Sequence, residues 1–251
     1  MTVAASPSPS QARIFRWLVL AVVPLLALAA WGYRAYTSPP LNVILVTLDT
    51  TRADRLGAYG YTKGQTDAFD AFARQGVVFE HAYAPAPITL PSHATMLTGL
   101  YPPEHGLRVN GVGRLGKQIP FLAEILKKQG YDTAAFVAAM VLDSQFGLDR
   151  GFDTYDDDLS KGQATGHGGE RRRDGQDVVN AALAWLAQPR QRPFHCWIHL
   201  YDAHAPYDPR PKIFGDQFSA APYDAGVAWE LRQFERITNF LKQQQLDKNT
   251  L

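Results

Sequence analysis

The stretch Asn42-Val43-Ile44-Leu45-Val46-Thr47-Leu48-Asp49 decides the fold. It is a short, nearly continuous apolar run rich in β-branched residues. A strand of that composition is buried on both faces, as strands of parallel sheets are. Residues 133–137 and 195–200 repeat the pattern. Segments of helical spacing lie around them: residues 66–75 before Gly76, 92–97 before Gly99, 120–129 before Gly130, 177–187 and 221–244. Glycine just past a periodic segment and proline near its start (Pro91, Pro120) are helix stop and start signals. Val77-Val78-Phe79 is a further short predicted strand, and the polar, glycine-rich residues 143–175 are predicted to form a long surface loop. Strands alternating with helices imply βαβ units. The predicted fold class is therefore α/β, a mainly parallel sheet with helices on both faces.

The chain has 251 residues, enough for one large domain with a sizeable core. With 25 Lys and Arg against 24 Asp and Glu, it has no basic excess of the kind a general nucleic-acid binder carries. Arg171-Arg172-Arg173 lies between Glu170 and Asp174 and reads as a solvated loop. The single cysteine, Cys196, excludes an intrachain disulfide and falls in a core strand. Residues 17–33 carry no charge and nearly span a bilayer core as a helix. Arg13 and Arg16 precede this run, and the positive side stays in the cytoplasm. The expectation is a cytoplasmic tail over residues 1–16, a transmembrane anchor or signal segment over 17–33, a linker over 34–40 containing Ser38-Pro39-Pro40, and a domain over 41–251 outside the cytoplasm. Ala27-Leu28-Ala29 resembles a signal-peptidase site, and cleavage there would give a secreted protein.

Ligands of parallel sheets bind beyond the carboxyl ends of the strands. Asp49 follows the first strand and Asp202 the third. Pro91 suits a first helical turn, which puts Thr89 at or just before a helix N-terminus. Unpaired N–H groups and the helix dipole favour an anion there, and a hydroxyl so placed faces an electrophilic anionic group. A plain N-cap role for Thr89 accounts for the same position equally well. His199 lies within the third strand and reads as a core histidine. His204 precedes Ala205-Pro206 in a loop and reads as a site residue able to protonate a leaving group or bind a tetrahedral anion.

Several blocks, in order, make the chain resemble the sulfatase family of the alkaline phosphatase superfamily. Residues 42–49 resemble the opening strand with its metal-binding aspartate, and Asp54-Arg55-Leu56-Gly57-Ala58-Tyr59-Gly60 the turn that follows. Thr89-Leu90-Pro91-Ser92-His93 through Leu97-Thr98-Gly99 resembles the nucleophile helix. Leu122-Ala123-Glu124 through Gly130-Tyr131-Asp132-Thr133 matches the next helix–strand unit, and residues 199–206 the histidine-bearing strand end. The resemblance implies an alkaline phosphatase-like fold over 41–251, the N-terminal part of a sulfatase-like domain. It implies Thr89 and His204 as catalytic residues, His93, Asn110 and Asp202 as substrate-binding residues, and Asp49 with Thr89 as ligands of a divalent cation: Ca²⁺, Mg²⁺, Mn²⁺ or Zn²⁺.

The departures shape the expected chemistry. Threonine cannot become formylglycine, because its β-carbon carries a methyl group. His93 stands where sulfatases of known activity have arginine, Asp49 is followed by Thr50 instead of a second aspartate, and Val137-Ala138-Ala139-Met140 replaces a lysine–x–histidine segment. A further strand ending in Asp-His or Asp-Asn is expected to begin where the sequence stops, at Asn249-Thr250-Leu251, so the cation is expected to bind weakly and the sheet to keep an unpaired edge. Threonine is the nucleophile of phosphodiesterases and phosphoglycol transferases in the same superfamily. The leading expectation is thus a membrane-anchored hydrolase or transferase of sulfate or phosphate esters. A non-catalytic remnant serving as a binding or structural domain, and a phosphoglycol or phosphoethanolamine transferase, are the other readings.

Overall fold

The computed structural model describes residues 22–29, 31–32, 40–160, 162–164 and 171–251. The chain divides into two units, Met1–Pro40 and Leu41–Leu251. In the first, residues 22–29 and 31–32 are helical and exposed. Among the described residues no helix is long and apolar enough to cross a membrane. The rest of the 17–33 segment, and the 1–16 tail, lie outside the described residues.

The second unit is built on a four-stranded, all-parallel sheet of β1 (Val43–Leu48), β2 (Asp132–Phe136), β3 (Thr154–Asp156) and β4 (Phe194–Leu200), in the order β1-β4-β2-β3. Every residue of β4 is buried. Side chains alternate along a strand, so Phe194, Cys196, Ile198 and Leu200 face one way and His195, Trp197 and His199 the other. Phe194 packs 5.9 Å from Trp185 of α4 (Gly175–Leu186). Trp197 packs 5.7 Å from His93 of α2 (Thr89–Thr98). Helices therefore cover both faces. Further helices include α1 (Asp67–Ala73), α3 (Leu122–Lys128), packed on β2, and α5 (Pro222–Gln243), packed on α1 and α4. The largest fully buried side chains include Trp197, Phe121 and Leu90, one from β4, one at the start of α3 and one from α2. Burial of that size contributes roughly 2–3 kcal/mol per side chain.

Two glycines set how closely the helices approach the loop after β4. A Cβ on Gly226 of α5 would lie 2.6 Å from the Asp202 carbonyl oxygen, and one on Gly175 of α4 would lie 2.4 Å from Asp202 Oδ2. Neither contact tolerates a side chain.

Four expectations need correction. β1 is half-buried, not buried on both faces, because it is the edge strand of the sheet. Asn249 and Leu251 extend the sheet on its outer side: Asn42 N–H donates to Asn249 C=O, Leu251 N–H to Asn42 C=O and Ile44 N–H to Leu251 C=O, each at 2.8 Å. Residues 77–79 are exposed, adopt no regular secondary structure and pair with no strand. β-branched residues form a strand only where a neighbour supplies the ladder. Residues 143–175 are not a featureless loop. Asp143 caps a single 3₁₀ turn at Ser144–Phe146, Leu148 is fully buried, Thr154–Asp156 is β3, and Gln163–Ala164 pairs antiparallel with Arg171–Arg172. The arginine run is not solvated throughout. Arg172 donates to the carbonyls of His204 (2.7 Å) and Pro206 (3.0 Å), and Arg173 makes a two-pronged pair with Asp156 at 2.9 and 3.1 Å. A guanidinium fork suits two oxygens at once, and here the protein's own oxygens take it.

Candidate active site

β1 and β4 run parallel with Thr47 opposite His199 and Leu48 opposite Leu200. Asp49 N–H extends the ladder by donating to Leu200 C=O at 3.0 Å. This register brings Asp49, one residue past the end of β1, beside His199 near the end of β4. The pair meets at 3.4 Å, His199 Nε2 to Asp49 Oδ2, a long hydrogen bond. The loop after β2 closes over the same edge, where Ala138 N–H donates to His199 Nδ1 at 3.3 Å.

α2 brings the third group. Ile88 is its N-cap, with extended φ −142° and ψ 147° and no side-chain cap bond, so Thr89 is the first helical residue. The N-cap role is therefore not what Thr89 does. Its side chain is instead one of the groups that act on the Asp49 carboxylate, the weakest of those that lower it. One turn on, His93 directs Nδ1 to the Thr89 carbonyl at 2.8 Å. Its ring meets His199 edge-on, with centroids 4.9 Å apart. The first turn of α2 offers an anion little. Leu90 N–H is taken by Asn110 Oδ1 at 2.8 Å, Pro91 has no N–H, and Ser92 N–H goes to Ile88 C=O. At most Thr89's own N–H is left.

Asp49, His93 and His199 each place a possible ligand atom within 4.8 Å of the others, and all three are buried. It is the one such grouping of histidine, cysteine and carboxylate found among the described residues. Burial alone would raise the Asp49 carboxyl, but the His199 hydrogen bond and charge, with smaller help from His93 and Thr89, hold it below the usual carboxylate range. Burial and the neighbouring His199 push His93 down to about 4, so its ring is neutral at physiological pH. An ionised carboxylate, a neutral imidazole and a hydroxyl form a donor set that fits a divalent cation.

The other expected residues stand apart from this cluster. Asn110 acts on the helix backbone, as just described. His204 stacks on Tyr201, with centroids 4.2 Å apart and planes 15° apart. Tyr201 in turn lies 5.8 Å from His199, so His204 is one ring removed from the cluster. Asp202 is buried, accepts Gly175 N–H at 3.0 Å and is ion-paired with Arg210. Arg210 also binds Asp174 at 2.8 Å. Burial, reinforced by Asp174, pushes the Asp202 carboxyl up to about 7 despite Arg210. Next to it, Glu230 of α5 is fully buried, accepting Thr51 Oγ1–H at 2.7 Å and Ala203 N–H at 3.1 Å. Burial and the charge of Asp202 push Glu230 up to about 8. His199 was read from sequence as core only. Its burial is as expected, but its partner Asp49 becomes visible only through the pairing of β1 with β4.

The family model for sulfatases matches residues 41–251. The chain is 27% identical over 185 residues to a Delta 4,5-hexuronate-2-O-sulfatase of Bacteroides thetaiotaomicron, a match covering 71% of this chain and 37% of that protein. It is 37% identical over 113 residues to arylsulfatase A of Bos taurus, covering 43% of this chain and 22% of the relative. The chain thus spans well under half the length of these curated relatives. Among solved structures, Ps i-CgsB in complex with k-i-k-neocarrahexaose aligns with TM-score 0.69 at 19% identity, over 84% of this chain and 57% of that one. The phosphonate monoester hydrolase of Agrobacterium radiobacter aligns with TM-score 0.62 at 18% identity, over 84% and 61%. At those identities the two structures establish the shared fold alone.

Proposed function

Because this chain belongs to the sulfatase family, whose model spans residues 41–251, we propose that it carries the nucleophile of a hydrolase or transferase of sulfate or phosphate esters, with Thr89 in that role. The observation that carries the reading is the placement of Thr89. It is the first residue of α2, at the carboxyl edge of the sheet, buried together with Asp49, whose carboxyl it helps to hold down. The relatives act, by their names, on sulfate esters.

The steps follow from the groups present. Asp49, beside the Thr89 hydroxyl, takes its proton. The hydroxyl oxygen forms a bond to sulfur or phosphorus, and the bond from that atom to the leaving oxygen breaks. His204, half-exposed at the same edge, gives the departing oxygen its proton. Water, or an acceptor alcohol in a transferase, then releases the esterified Thr89. A divalent cation held by Asp49 and Thr89 would lower the pKa of the hydroxyl.

Turnover of an aryl sulfate and an aryl phosphodiester by the purified protein tests the reading. Release of the aryl alcohol is expected, with loss of about 10³-fold or more in Thr89→Ala. Undiminished turnover in that variant removes Thr89 from the mechanism. Product analysis with an added acceptor alcohol separates transfer from hydrolysis. We also propose membrane attachment with the domain outside the cytoplasm. The support is the uncharged run of residues 17–33 behind Arg13 and Arg16. Protease accessibility on intact cells, with and without permeabilisation, tests it.

A further inference from the structure

We propose that His93 is a nitrogen ligand of a divalent cation shared with Asp49 and Thr89, and that the site therefore prefers Zn²⁺ or Co²⁺ to Ca²⁺ or Mg²⁺. The inference deepens the metal-assisted reading of this site and rests on it.

The tautomers follow from the backbone. His93 Nδ1 lies 2.8 Å from a carbonyl oxygen, that of Thr89, so Nδ1 carries the proton and Nε2 the lone pair. That Nε2 is buried and has no hydrogen-bond partner. A ring nitrogen left without a partner in the interior is costly. One that sits beside an ionised carboxylate, its other nitrogen fixed by a backbone carbonyl, has the arrangement of a metal-bound histidine.

His199 is different. Its Nδ1 accepts Ala138 N–H at 3.3 Å, so the ring N–H is on Nε2. That Nε2–H donates to Asp49 Oδ2. A protonated ring nitrogen has no lone pair to give. His199 is thus a positioning residue that holds Asp49, and His93 is the ligand.

His195 provides the internal control. It too points Nδ1 at a backbone carbonyl, that of Val43 at 3.3 Å, and it too has a buried Nε2 without a partner. But its ring stacks on Phe152 and no carboxylate groups with it. The orphaned nitrogen alone does not make a site; the neighbouring Asp49 does. Imidazole nitrogen suits Zn²⁺ and Co²⁺, whereas Ca²⁺ and Mg²⁺ take all-oxygen shells.

The test is metal binding by the purified, chelator-stripped protein, read by calorimetry with Zn²⁺ and Ca²⁺ and by proton NMR with Co²⁺. Zn²⁺ is expected to bind at least tenfold more tightly than Ca²⁺. The wild-type Co²⁺ form is expected to show one hyperfine-shifted, exchangeable imidazole N–H. His93→Ala should lower Zn²⁺ affinity tenfold or more and remove that resonance, with Ca²⁺ affinity changed less than twofold. His199→Gln should retain the resonance. Ca²⁺ binding as tight as Zn²⁺, or a Co²⁺ form without the shifted N–H, overturns the proposal, and neither readout needs a variant that folds. Thr89-dependent turnover with no Zn²⁺ preference defeats this inference alone, and Zn²⁺ bound through His93 without turnover defeats the catalytic reading alone.

Discussion

Two adjacent strands each end in a buried aspartate, and the two aspartates have opposite surroundings. Asp49, after β1, is met by His199 and held below the usual carboxylate range by it, with smaller help from His93 and Thr89. Asp202, after β4, is closed in by Gly175, Arg210 and the acidic Asp174 and Glu230, and its carboxyl rises to about 7. The first cluster keeps a partnerless acceptor, His93 Nε2, beside the carboxylate. The second commits its carboxylate oxygens to the protein itself. The same signal in sequence, a strand-terminal aspartate, thus leads to two different surroundings: beside a partnerless ring nitrogen in one case, and held by the protein's own donors in the other.

Variants that separate chemistry from stability test the contrast between the two aspartates. The largest effect is expected at Thr89. Thr89→Ala should reduce turnover by about 10³-fold or more while leaving the urea midpoint nearly unchanged. Asp202→Ala should do the reverse. It leaves Gly175 N–H and one side of Arg210 unpaired in the interior, at a cost of about 3 kcal/mol read by urea denaturation. If Asp202→Ala lowers turnover as strongly as Thr89→Ala at equal folding, the contrast fails and Asp202 belongs with the chemistry.

Gly226→Ala comes next. In an open helix the change would stabilise by up to about 1 kcal/mol. Against the Asp202 carbonyl it should instead destabilise by about 1–2 kcal/mol, measured by the same denaturation. The smallest effect is a slope. Glu230 has an ordinary value near 4.5 when unfolded and is pushed up to about 8 by burial. Between those values the folded state keeps a proton that the unfolded state releases, so stability falls as pH rises through the window. Glu230→Gln should remove up to about 1 kcal/mol per pH unit of that slope, seen as a flatter plot of Tm against pH from 5 to 8. Part of the slope remains in the variant, because Asp202 acts in the same direction between about 4 and 7.

Much of the fold was readable because its signals are local. The apolar runs at β1, β2 and β4 and the Pro and Gly punctuation of α2 and α3 need no tertiary information. Residues 77–79 misled because β propensity is realised only beside a partner strand. Residues 143–175 misled because a polar average hid Phe146 and Leu148, which are buried. In the site, Thr89 and Asp49 were legible from motif and position. His199 was hidden because its place opposite Thr47, and so beside Asp49, is a matter of register between strands about 150 residues apart. The closed nature of the Asp202 cluster was hidden for a similar reason: Arg210, Gly175 and Glu230 come from three segments that no spacing rule links.

The parallel pairing of β1 with β4 carries a kinetic consequence. The hydrogen bond from His199 to Asp49 joins residues 150 apart in sequence, so the chain must close a long loop before it forms. The helix bearing Thr89 and His93 can form by local contacts well before that. During refolding from urea, helical signal should therefore appear ahead of any metal affinity. Metal capture would then time the docking of the first strand onto the last, the slow step of a topology built from distant partners.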